Sequence, residues 1–149
     1  MKNATESLIV GTQGTAETVV NEEQTAEYMG SGSLNVFATP AMLVLMEKAA
    51  INAVCGLLPD NYQSVGTRIE LKHEGATPVG MRVKAIAELT SVKGRILTFH
   101  ITVRDEKGII GVGLHERTIY SLITFKRLLR QKMTRESSDL SELQPKKYA

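Results

Sequence analysis

The stretch TPAMLVLMEKAAINAVC, residues 39–55, decides how the rest of the chain must be arranged. Pro40 suits the first helical position, where its missing N–H would have had no partner. Thr39 before it carries the side-chain oxygen that an N-cap needs. Gly56 and Pro59 stop the segment. From Ala41 to Val54 only Glu47, Lys48 and Asn52 are polar. A helix apolar on nearly every side is either wrapped by other structure or spans a membrane. Spanning takes about 20 apolar residues, more than this segment offers. The stretch predicts a buried helix with a carboxylate in its middle.

What wraps it follows in the chain. After the turn signal Pro59-Asp60-Asn61 the hydrophobic period changes to two. In Gly66–Gly75, Ile69, Leu71 and His73 share one face, and Arg68, Glu70 and Lys72 the other. Met81–Val92 and Ile96–Asp105 alternate in the same way, joined by a tight Lys93-Gly94 connection. Glu106-Lys107-Gly108 makes another turn, and Ile109–Ser121 reads as a last long strand. Upstream, Gln13–Val20 predicts a strand, Asn21 caps a short helical turn over 22–28, and MGSGSLN (29–35) is a small flexible loop. Leu122–Met133 predicts a short surface helix.

Four successive hairpin-compatible strands predict an antiparallel sheet with one solvated face. Its other face is the only large cover available to the apolar helix. The expected class is therefore α+β, an antiparallel sheet wrapped around one long central helix, which is the hot-dog fold. Residues 1–133 form one domain in this reading, and the polar residues 134–149 a flexible tail.

Composition removes several function classes. With 149 residues the chain fits one domain with a sizeable core. A formal charge of +2, from 18 basic and 16 acidic residues with no Trp, argues against nucleic acid as a partner. The single cysteine, Cys55, excludes an internal disulfide and fits a reducing compartment. MKNATESLIVG has no sustained apolar core, so no secretory leader is expected. Together these predict a cytoplasmic protein that does not associate with membranes. The three histidines lack metal-ligand spacing, and there is no phosphate-binding glycine loop and no GxSxG. No metal and no cofactor are expected.

Among candidate chemical groups, Glu47 stands first. Its helical neighbours at three and four positions are Leu43, Val44, Ala50 and Ile51, so the carboxylate lacks an obviously wet face. Such a group either is functional, or reaches water at a helix edge, or pairs with a basic residue, Lys48 being adjacent in sequence. His73, inward on the Ile69/Leu71 face, is either a satisfied core residue or a proton carrier. Thr39 is explained by capping alone, yet its hydroxyl also lies at a helix start, which favours anionic or polarised oxygens. His115 shares a strand face with Gly113 and Arg117, where the glycine allows close approach of another group.

The segments VFATPAMLVLMEKAA (36–50), SVGTRIELKHEGATPVGMRV (64–83), AELTSVKGRILTFHITVRD (87–105) and IGVGLHERTIY (110–120) resemble the fluoroacetyl-CoA thioesterases and their hot-dog-fold relatives. The resemblance runs in order from about residue 10 to 132. It implies hydrolysis of a small acyl-CoA thioester by a homodimer, with a tetramer as its extension. Thr39, Glu47 and His73 match the family's catalytic threonine, glutamate and histidine. Gly66 matches a backbone position contacting the thioester carbonyl, and Arg117 a basic position that helps bind substrate. Where the family carries phenylalanines before the central helix, this chain has no aromatic between Met29 and Val36. A non-catalytic acyl-CoA-binding module and an enoyl-thioester hydratase are the alternatives on the same fold.

Spacing adds one constraint. Thr39 and Glu47 are eight residues apart, about 12 Å along a helix, so they do not touch directly within one chain. A site containing both needs a substrate or water between them, or a second subunit.

Overall fold

The computed structural model describes residues 4–134. The tail expected at 134–149 lies, from residue 135 onward, outside the described residues. In order, the elements are β1 (Gln13–Val19), a short 3-10 turn (Glu22–Gln24), α1 (Ala26–Met29), α2 (Thr39–Ala53), β2 (Tyr62–His73), β3 (Arg82–Lys93), β4 (Ile96–Asp105), β5 (Ile109–Ser121) and α3 (Leu122–Met133). The strands form one antiparallel sheet against which α2 packs, and this is the hot-dog fold.

Strand order is β1-β3-β4-β5-β2, which corrects the expectation of four strands in sequential hairpins. Only β3, β4 and β5 follow one another. The segment after β2 is not a tight turn. It bridges to the loop before α2, with Val36 opposite Pro78 and the Phe37 N–H donating to the Thr77 carbonyl at 2.8 Å. This carries the chain from one sheet edge to the other, so β2 pairs with β5 and β3 with β1.

The core lies between α2 and the inward residues of the sheet. Met42, Met46, Ala49, Leu89, Leu97 and Phe99 are fully buried. Burying each of the larger ones contributes about 1.5–3 kcal/mol. Glycines on β1 and β5 let the helix come this close. A Cβ on Gly14 of β1 would overlap the backbone of Ala49 and Ala53, and one on Gly113 of β5 would overlap the Met46 methyl group. Asn52 ties the end of the helix to β1 by donating to the Thr15 carbonyl at 2.8 Å.

The helix is not enclosed on all sides, as its apolarity had suggested. Val44 and Ile51 are 45% exposed, and Leu43 and Glu47 half-buried, leaving an open stripe on the side facing β2. Thr39 also departs from its expected place. The helix is capped by the backbone of Ala38, whose carbonyl accepts from Met42 at 3.0 Å, so Thr39 is already the first helical residue. Its hydroxyl is used elsewhere.

Candidate active site

Two polar clusters flank the open stripe of α2. At the start of the helix, Thr39 Oγ1 lies 2.7 Å from His73 Nδ1 at the end of β2. Thr39 is exposed and His73 half-buried. The other ring nitrogen of His73, Nε2, is shielded from solvent and has no hydrogen-bond partner among the described residues. A hydroxyl in contact with an imidazole whose second nitrogen is unengaged can pass or orient a proton.

Two turns along, the carboxylate of Glu47 meets Arg117 of β5, whose Nη1 donates to Oε2 at 3.2 Å. Glu47 thus has a basic partner, but from seventy residues away rather than the adjacent Lys48, which is exposed. The Arg117 side chain is 5% exposed and that of Glu47 34%. Arg117 Nε donates to Ser64 Oγ at 2.9 Å and Nη2 to the Ser64 carbonyl at 3.0 Å. Nη1 also lies 3.1 Å from His115 Nε2. Four N–H donors of the guanidinium are thereby engaged inside the protein. Burial pushes Arg117 below its usual range, and the charge and hydrogen bond of Glu47 oppose that shift.

His115 is fully buried. Its Nδ1 lies 2.8 Å from the Arg68 carbonyl, which can only accept, so Nδ1 carries the proton. Burial lowers its pKa, as does the neighbouring guanidinium, against the raising effect of the Arg68 carbonyl and Glu47. Its ring also packs near Phe99, with centroids 6.3 Å apart.

Gly66 supplies the space for this cluster. A Cβ there would come within 2.5 Å of Glu47 Oε2 and 3.4 Å of Arg117 Nη1. Gly66 pairs with Arg117, and the register shifts immediately after it, between Gly66 and Arg68. Such a bulge re-aims the strand beside a site.

The five residues singled out in the sequence therefore fall into two groups, Thr39 with His73 and Glu47 with Gly66 and Arg117. Ser64, which was not singled out, and His115, which was noted only for the strand face it shares with Arg117, complete the second group. Their signal was the period of two, which puts His115 and Arg117 side by side on the inward face of β5, where two buried polar side chains must find partners.

An open groove of about 300 Å³ lies next to the second cluster, lined by Ile51, Val54, Leu58, Tyr62 and Ser64 among others. A larger cavity of about 560 Å³ sits away from both clusters, among charged residues of β1, β3 and β4 such as Glu17, Lys84 and Arg104. We take the smaller one as part of the site because it adjoins the unusual chemistry. Among the described residues no group of three His, Cys, Asp or Glu side chains could hold a metal ion, and no helix is long and apolar enough to cross a membrane.

A family described as fluoroacetyl-CoA-specific thioesterase matches residues 20–122. The fluoroacetyl-CoA thioesterase of Streptantibioticus cattleyicolor is 42% identical over 97 residues, 65% of this chain and 70% of that protein. The solved structure of a fluoroacetyl-CoA thioesterase superposes with a TM-score of 0.78 at 35% identity, over 85% of this chain and 98% of that one. A hot-dog-like protein from Thermanaerovibrio acidaminovorans, 21% identical, shares the fold with a TM-score of 0.82 over 91% of this chain and 100% of its own.

Proposed function

The chain belongs to the fluoroacetyl-CoA-specific thioesterase family, and from that premise we propose that it hydrolyses a small acyl-CoA thioester to the free acid and CoA. One observation carries the reading. Arg117 holds Oε2 of Glu47, while no hydrogen bond to Oε1 occurs among the described residues, and the carboxylate is one third exposed. A carboxylate clamped by one oxygen and open at the other suits attack on, or activation of water at, a thioester carbonyl.

As general base, Glu47 takes a proton from water, and the resulting hydroxide adds to the carbonyl carbon. As nucleophile, it adds directly, and loss of the CoA thiolate from the tetrahedral intermediate leaves an acyl-enzyme anhydride that water then opens. On either route backbone N–H groups stabilise the tetrahedral oxyanion, each typically contributing about 3 kcal/mol. The bulge at Gly66 and the start of α2 would supply such donors. The C–S bond then breaks, and the CoA thiolate takes up a proton, which His73 relays with Thr39 orienting it. The groove beyond Ile51 seats the acyl group.

We place this chemistry in a homodimer. Thr39–His73 and Glu47–Arg117 are separate clusters on one chain. Between them lies the exposed apolar stripe of α2, and β2 is an edge strand. A second copy covering that stripe would bring a Thr39–His73 pair towards the partner subunit's carboxylate and give His73 Nε2 its missing neighbour. Exposed strand edges also favour such pairing.

The decisive experiment is a free-thiol assay over short and medium acyl-CoAs, fluoroacetyl-CoA included, with the parent protein and Glu47→Gln. The parent turns over at least one short acyl-CoA, and Glu47→Gln loses about a hundredfold or more in kcat while staying folded. Binding of acyl-CoA without thiol release, or hydration of an enoyl-CoA in its place, overturns the reading.

A further inference from the structure

We infer that His115, acting through Arg117, is the positioning residue that holds the Glu47 carboxylate in its working orientation. This rests on the role proposed above for Glu47. The geometry turns on a single atom, Nη1 of Arg117. It carries two hydrogens in a fixed trigonal arrangement. It lies 3.1 Å from His115 Nε2 and 3.2 Å from Glu47 Oε2. Fixing the direction of one N–H fixes the other.

His115 Nε2 is suited to this task because it has no proton. Its other nitrogen donates to the Arg68 carbonyl at 2.8 Å, which leaves Nε2 as the acceptor. That carbonyl belongs to the residue just past the register shift in β2. The chain of contacts therefore runs from the backbone bulge through the imidazole and guanidinium to the carboxylate. Burial, which disfavours the imidazolium, keeps the acceptor available. Ser64 anchors the other edge of the guanidinium through Nε and Nη2, so the plane cannot turn to present another nitrogen to Glu47.

The two amide side chains separate this role from simple core packing. Gln at 115 can place its amide oxygen where Nε2 lies, keeping the acceptor for Arg117. Asn can place its amide N–H where Nδ1 lies, keeping the donor to Arg68 but losing that acceptor. His115→Leu keeps most of the volume and neither bond. The experiment measures kcat and KM for the best acyl-CoA substrate in these three variants and in Glu47→Gln, with thermal unfolding of each. In Asn and Leu, kcat falls about tenfold or more with KM within about threefold, as misplacing a reacting group does. His115→Gln stays within about threefold of the parent in kcat, the rescue that positioning requires.

Equal kcat in the Asn and Gln variants overturns the inference, as does a folded Leu variant with parent activity. Should the Leu variant not fold, the Asn–Gln comparison decides alone. Parent-like activity in H115N beside an inactive E47Q overturns this inference only. Parent-like activity in E47Q overturns the proposed function and this inference with it.

Discussion

Where α2 packs against β1 and β3, with Met42 and Met46 reaching the glycines of β5, Met42, Met46 and Ala49 are wholly buried, whereas its other side leaves Val44 and Ile51 45% exposed. The closed side is apolar and steric, its approach set by glycines on the strands. The open side carries the polar groups, Glu47 within it and Thr39 at its start. One helix thus serves as both the core of the domain and the wall of the site. Close packing on one side supplies rigidity, and incomplete cover on the other leaves the Glu47 carboxylate and the Thr39 hydroxyl accessible.

Glycine substitution tests this division most severely on the closed side. Gly14→Ala sets a Cβ against the backbone of Ala49 and Ala53, which cannot rotate away. Its expected cost is about 3 kcal/mol, read as a large drop in midpoint temperature or as insoluble protein. An alanine tolerated there would mean that the closed side is looser than it looks.

The same change on the open side has the reverse profile. At Gly66 the added Cβ meets the tip of the Glu47 side chain, which can swing aside. Gly66→Ala keeps the fold to within about 1 kcal/mol but lowers kcat, about tenfold or more, because the carboxylate leaves its place over Arg117. Equal losses of stability at Gly14 and Gly66 would erase the distinction between the two sides.

The smallest effect sharpens the role of Thr39. Removing a true N-cap typically costs about 1 kcal/mol. Because Ala38 is the N-cap and the Thr39 hydroxyl meets His73 instead, Thr39→Ala leaves the midpoint temperature almost unchanged and reduces turnover. A stability loss of full capping size with normal turnover would restore the structural reading.

Much of the fold was legible because local patterns express it. The Ile96–Asp105 strand follows the period of two almost throughout, Ile109–Ser121 does so from His115 onward, and the apolar run from Thr39 announced the helix. Which side of that helix closes was not legible. It depends on Gly14 and Gly113 meeting residues far away in sequence, and no periodicity records that. Strand order failed for a related reason, since Thr77 and Pro78 engage the loop before α2 rather than making a hairpin. For Thr39, the local grammar of helix starts pointed to capping, and a residue thirty-four positions away claimed the hydroxyl. Arg117 was legible as a basic group on the right strand. That its partner there is Glu47 was not legible, because the pairing spans seventy residues.

The placement of β2 at the sheet edge beside β5 also bears on how the molecule assembles. Tyr62 pairs with Ser121 and His73 with Gly111, so this ladder closes only after the chain has looped through β3 and β4. Long-range pairings of this kind carry the loop-closure entropy that slows folding. The contacts that join Glu47 to Arg117 and Ser64 to the guanidinium depend on that closure. A nascent chain that has not yet delivered β5 has α2 and β2 but no clamp, so the Glu47 carboxylate is aligned only when the last strand is in place.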